Sequence, residues 1–252
     1  SRASISQMAA EELGIPLEKI STIKADTNSL GHNDVTDGSR VTFAVGLATI
    51  KAAKAAKKEM CKRAAKLWGI DEDAVYWENG FAIPSGPNAS DQDPLSFEKI
   101  ASMSGQTGGP IAGHYEVNAE GAGVSFGVHL VDVEVDPETG HTKILRYTVF
   151  QDAGKAIHPS YVEGQMQGGS VQGIGWALNE EYIYDTNGKL QNPGFLDYRI
   201  PVASDLPMIE PVILEIPNPG HPYGVRGVGE TSIVPPLAAV CNAVSRATDI
   251  RF

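Results

Sequence analysis

The residues best placed to do chemistry lie in one stretch, NPGHPYGVRGVGETSIVPPLAAV, residues 218–240. Gly220, Gly224, Gly227 and Gly229 crowd ahead of a single carboxylate, Glu230. Pro235 and Pro236 then open an apolar segment that reads as a helix. Glycine permits tight turns and close approach of other groups. Proline suits a first helical turn, where its missing N–H loses nothing. Glu230 is therefore expected on a tight loop just before a helix, held by backbone. A carboxylate so fixed is where this chain's chemistry is to be sought. The plainer alternative is a solvated acid on a surface loop, and residue types alone leave both open.

Two further polar, glycine-rich places occur at 36–40 and 164–175. Together with 224–230 they could present backbone N–H groups to an anion. Glycines that merely let elements pack closely are the competing explanation. Familiar motifs are missing. The loop 31–40, GHNDVTDGSR, lacks the lysine and spacing of a phosphate loop. Gly173-Ile174-Gly175 and Gly227-Val228-Gly229 do not complete a dinucleotide fingerprint. The six histidines form no H-E-x-x-H grouping, the two cysteines no C-x-x-C pair, and no serine sits in a G-x-S-x-G elbow. No residue set is expected to ligate a metal directly.

A net charge of −11 argues against a nucleic-acid partner, which requires a basic face. No apolar run approaches the ~20 residues of a membrane span. Cys61 and Cys241 imply no disulfide framework, and a reducing, cytoplasmic setting fits them.

These candidate residues need elements to position them. Ile5, Met8, Ala9 and Leu13 recur on helical spacing over 4–13. Residues 20–25, ISTIKA, alternate as a strand does. A long helix is expected from Phe43 to Leu67, with Lys51, Lys54, Lys58 and Lys62 forming a solvated face. Asn79-Gly80 between apolar runs predicts a hairpin over 75–84, and 95–103 a short helix. Val131, Val133 and Val135 alternate with acids, and the turn 136–140 leads into a second strand of a hairpin. Residues 160–179 read as a helix despite interior glycines, so something should pack or bind closely there. Residues 181–185 and 211–216 read as strands and 237–247 as a final helix. Helices and strands without regular alternation favour an α+β fold, with no clear internal domain boundary over 1–252.

Four stretches, in order, carry a resemblance: AAEELGIPLEKI (9–20), ADTN and DGSRVTFAVGLA (within 25–48), QDAGKAIHPSYVEGQMQGGSVQGIGWALNEE (151–181) and GVRGVGETSIVPPLAAVCNAV (224–244). Together they resemble the molybdopterin-binding domain of the xanthine dehydrogenase/aldehyde oxidase family of molybdenum hydroxylases, in its second half. The resemblance implies mixed sheets with packed helices. It implies a molybdenum–molybdopterin cofactor, in bacteria often the cytosine dinucleotide form. It matches Thr36, Asp37, Gly38, Ser39 and Arg40, with Gln165 and Gly229, to cofactor-facing positions, and Glu230 to the general base beside the metal. The implied reaction oxidises an aldehyde or N-heterocycle with water as oxygen source.

The family's Gly-Gln-Gly element and the first half of the molybdopterin region have no counterpart here, nor do iron–sulfur cysteine patterns or a flavin domain. The expectation is a fragment or a split subunit. Its partners would be the remaining half of the region, iron–sulfur and FAD-bearing chains or domains, and a small-molecule substrate, with a homo-oligomer also allowed. The alternative is a non-catalytic module that keeps the fold without cofactor; metal analysis of the native assembly separates the two.

Overall fold

The computed structural model describes residues 2–252 apart from 24, 25, 29, 30, 88 and 122. The chain divides into two compact units, one of Ser1–Val35 with Val41–Glu120, the other of Thr36–Arg40 with Gly121–Phe252.

In the first unit, α1 (Arg2–Leu13) packs along α2 (Val41–Trp68). The strands β1 (Val75–Glu78) and β2 (Phe81–Pro84) form the hairpin anticipated around Asn79-Gly80. Both turn residues have positive φ, 49° and 81°, the backbone that matches the twist of a two-residue hairpin. The expected helix over 95–103 is instead a short strand, β3 (Leu95–Ser96), followed by α3 (Phe97–Ser102), whose first turn Ser96 caps through Lys99 N–H at 3.2 Å. A single turn, α4 (Ser104–Thr107), follows. The lysine face of α2 is more engaged than expected: Lys51 lies 4.9 Å from the centre of the Tyr115 ring, and Lys62 is 3.9 Å from Glu72. The strand expected over 20–25 does not form at 20–23, and its remaining two positions lie outside the described residues. There the side chain of Arg2 donates to Thr22 O at 3.1 Å and Ile23 stands in solvent, so no neighbouring strand rewards the alternation.

The second unit is built on a mixed sheet. Its antiparallel hairpin joins β4 (Gly127–Val135) to β5 (Thr142–Asp152), and β6 (Ile209–Leu214) adds parallel to β5. The connection from β5 to β6 carries α5 (Pro159–Leu178), and the chain continues after β6 into α6 (Pro236–Thr248). Both helices pack on the sheet, over a core of Ile144, Tyr147, Val149, Met166, Ile174, Ile209 and Val240. Each such side chain contributes about 1.5–3 kcal/mol on burial. The strand expected at 181–185 is reduced to a single antiparallel bridge, Tyr184 with Leu190, where Gln191 N–H donates to Ile183 O at 2.7 Å. Ile183 N–H donates to the side chain of Asn192 at 3.0 Å, and Tyr182 packs 5.3 Å from Tyr198, centre to centre. A side-chain amide ends the pairing after this one bridge. The architecture is thus α+β, as the sequence indicates.

Among the described residues no helix is long and apolar enough to cross a membrane.

Candidate functional site

The loop bearing Glu230 is fixed before it reaches the carboxylate. Where β5 ends, the Asp152 carboxylate accepts from Gly154 N–H at 2.9 Å and lies 3.0 Å from the Arg226 guanidinium. Arg226 also donates to Ile216 O at 3.1 Å and Val124 O at 2.5 Å. The backbones close the arrangement: Arg226 N–H donates to Ala153 O at 3.1 Å and Lys155 N–H to Gly224 O at 2.9 Å. A Cβ on Gly154 would stand 2.2 Å from Gly224 O, so only glycine admits the loop this close. The side chain of Asn218 holds the loop across its own turn, donating to Val225 O at 3.0 Å.

From this anchored base the chain runs through Gly227, Val228 and Gly229 to Glu230. Their three N–H groups have no hydrogen-bond acceptor among the described residues. Glu230 itself is exposed and starts a single helical turn, Thr231–Ile233, with Ile233 N–H donating back to Glu230 O at 3.2 Å.

The turn at 36–40 meets this loop. Arg40 N–H closes onto Asp37 O at 3.5 Å, and the central residues Gly38 and Ser39 both have positive φ, 62° and 60°. That is the two-residue turn with left-handed centres, which glycine fills freely and serine only with strain. Ser39 N–H donates to Glu230 Oε2 at 2.7 Å, and Glu230 N–H donates to Ser39 Oγ at 2.8 Å. The contact is reciprocal, as in a capping box, but joins segments 191 residues apart. Close approach requires Gly227, whose Cβ would lie 2.4 Å from Ser39 O.

Helix α5 supplies the third side. Gly169 and Gly173 face the turn after Glu230: added Cβ atoms would meet Ser232 at 3.1 Å and Pro236 at 2.7 Å. Gly164 and Gly168, one turn apart on the helix, have nothing within 4 Å. Between them, Gln165 reaches Gly229, where its Oε1 lies 3.5 Å from a Cβ position. Gly175 is packed as well, its Cβ position lying 2.7 Å from Pro201, so the five glycines of this helix divide into three packed and two open.

Of the residues singled out in the sequence, Ser39, Gln165, Gly229 and Glu230 come together. Asp37 and Gly38 shape the turn, Asp37 accepting from Gly38 N–H at 2.9 Å. Thr36 and Asp37 are exposed on it and Arg40 closes it. Sequence reasoning did not single out the Asp152–Arg226 pair or the buried hydroxyls of Thr231 and Ser232, which have no partner among the described residues. Asp152 lies in QDAG and Arg226 in GVRG, within two of the matched stretches, but nothing in their spacing pairs them. Among the described residues no three His, Cys, Asp or Glu side chains gather to hold a metal ion.

The donor chemistry fits an oxygen-rich, anionic cofactor: free N–H groups at 227–229, a serine hydroxyl, a glutamine and open glycines, with one carboxylate beside them. The comparison with known proteins decides which family this is. The molybdopterin cofactor-binding domain family matches residues 1–207. The chain belongs to that family. The molybdopterin-binding chain is similar to the nicotine 6-hydroxylase large subunit of Paenarthrobacter nicotinovorans, at 34% identity over 98% of this chain and 31% of that one. It is similar to the putative xanthine dehydrogenase molybdenum-binding subunit of Escherichia coli K12, at 32% identity over 97% of this chain and 33% of that one. Among solved structures it resembles the Cu,Mo-CO dehydrogenase, with a TM-score of 0.83 at 27% identity over 98% of this chain and 31% of that one. The quinoline 2-oxidoreductase of Pseudomonas putida 86 follows at 0.81, with 27% identity over 100% of this chain and 33% of that one. The chain spans about a third of the length of the curated relatives it matches.

Proposed function

We propose that this chain carries the general-base glutamate of a molybdenum-dependent hydroxylase that oxidises an aldehyde or N-heterocycle with water as oxygen source. The observation that supports the reading is the pinning of Glu230. One carboxylate oxygen, Oε2, is held by Ser39 N–H, while Oε1 has no partner among the described residues and is free to accept a proton. When bound, the molybdenum–molybdopterin group supplies the redox chemistry and raises the acidity of the attacking oxygen species. The chain's own part is to bind, orient and deprotonate. The N–H groups of Gly227–Gly229 and the amide of Gln165 hold the cofactor's polar edge. The turn Thr36–Arg40 walls it, and Oε1 of Glu230 takes the proton. General-base assistance of this kind is worth about 10²–10⁴ in rate.

The cytosine dinucleotide form of the cofactor belongs to the same proposal, as do partners that supply the rest of the molybdopterin region and the iron–sulfur and FAD centres. Support for partners comes from relatives named as a large subunit and as a complex subunit. Phe195, Leu196 and Met208 add to it, standing 94%, 89% and 80% exposed, as apolar side chains awaiting cover do. The free thiols Cys61 and Cys241 fit a cytoplasmic setting.

The test is Glu230→Gln in the complete enzyme. The amide keeps the size of the side chain and an oxygen for Ser39 N–H but is not basic. Folding and molybdenum content stay normal while substrate hydroxylation falls at least a hundredfold. Turnover within a few-fold of wild type would remove Glu230 from the mechanism; loss of metal would make it a cofactor-holding residue instead. Metal analysis of the native assembly separates this reading from a non-catalytic module, which would hold no molybdenum and turn over no substrate.

A further inference from the structure

We infer that Ser39 is a positioning residue: its reciprocal hydrogen bonds with Glu230 select which carboxylate oxygen is the base. This rests on the reading of Glu230 as the base and goes beyond the cofactor contact that the resemblance gives Ser39.

Three observations carry it. The two bonds, 2.7 and 2.8 Å, run in opposite directions between the same two residues, so they fix both the position of the carboxylate and the rotation of its backbone. Only Oε2 is engaged, which leaves Oε1 outward and unshared among the described residues. Ser39 also occupies a left-handed backbone at φ 60° that glycine would adopt without strain. A glycine there would retain the N–H bond to Oε2, so the gain from serine is its hydroxyl. Within this structure that hydroxyl accepts from Glu230 N–H. Without Oγ the Glu230 amide loses its acceptor and the side chain swings about a single remaining bond. A base displaced by even 1 Å from its proton loses on the order of a hundredfold in rate.

Ser39→Gly tests this, because it suits the left-handed turn and removes the hydroxymethyl group that carries Oγ. In the full chain without cofactor, hydrogen exchange at the Glu230 amide is expected to accelerate at least tenfold while the thermal midpoint stays level or rises. Unchanged exchange overturns the pin. In the complete enzyme, kcat is expected to fall at least tenfold with KM within twofold and molybdenum content unchanged. An unchanged kcat overturns the proposal. Lost molybdenum also overturns it, and makes Ser39 a cofactor ligand rather than a positioner of Glu230. Glu230→Gln run in parallel keeps the two readings apart. If that variant turns over at the wild-type rate, the base assignment fails whatever Ser39→Gly does, and the exchange result still decides whether the pin exists.

Discussion

Arg226 and Asp152 form an ion pair at 3.0 Å whose side chains are only 14% and 3% exposed, and it ties the catalytic-loop candidate to the end of β5. Each member has further partners: Arg226 donates to two carbonyls, and Asp152 accepts from the N–H groups of Gly154 and Ile216. Such a pair is costly to half-remove, because the surviving charge is left buried without its partner.

Arg226→Ala is therefore expected to destabilise the chain by about 3–5 kcal/mol. Arg226→Lys should recover only part, since an ammonium cannot reproduce the forked contacts. Urea unfolding midpoints of the two variants measure this. Equal midpoints for alanine and wild type would show that the loop is held by its backbone bonds alone.

The packed and open glycines of α5 should respond oppositely to alanine. Gly173→Ala drives a methyl to within 2.7 Å of Pro236 and 3.0 Å of Ile233 O, so a loss of about 1–3 kcal/mol is expected. Gly168→Ala meets nothing within 4 Å and should gain about 0.5–1 kcal/mol from helix propensity. Thermal midpoints of the cofactor-free chain should move in opposite directions. In the complete enzyme, Gly168→Ala should lower molybdenum content if the open face is where the cofactor lies, and a full complement of metal would assign that face elsewhere.

His129 gives the fold a pH dependence of definite sign. It is 8% exposed, with Nδ1 hydrogen-bonded to the Tyr147 hydroxyl at 2.8 Å, and burial pushes its pKa from 6.5 down to about 4. The unfolded chain takes up this proton below pH 6.5, whereas the folded chain resists until about 4. Stability from keeping His129 neutral is thus complete above 6.5, falls between 6.5 and 4, and is flat below. Unfolding midpoints at pH 7 and pH 5 should differ for the wild type, and the difference should shrink in His129→Leu. A pH slope identical in the variant would place its origin in other groups.

Much of this architecture follows from local pattern. The 3.6-residue spacing in α2 and α6, the alternation in β4 and β5, and the Asn79-Gly80 turn each encode their element within a few residues, because helix faces and hairpin turns are local geometry. The catalytic candidate was legible in the same way, since four glycines before one carboxylate announce a rigid loop. Where the pattern misled, 20–23 met no neighbouring strand and 181–185 found only one bridge, Tyr184 with Leu190, because a ladder needs a partner that sequence does not name. The reciprocal bonds of Ser39 and Glu230, the pairing of Asp152 with Arg226, and the division of the α5 glycines into packed and open faces belong to tertiary structure alone. Each depends on which backbone comes within about 3 Å of another across many tens of residues, and no local periodicity carries that distance.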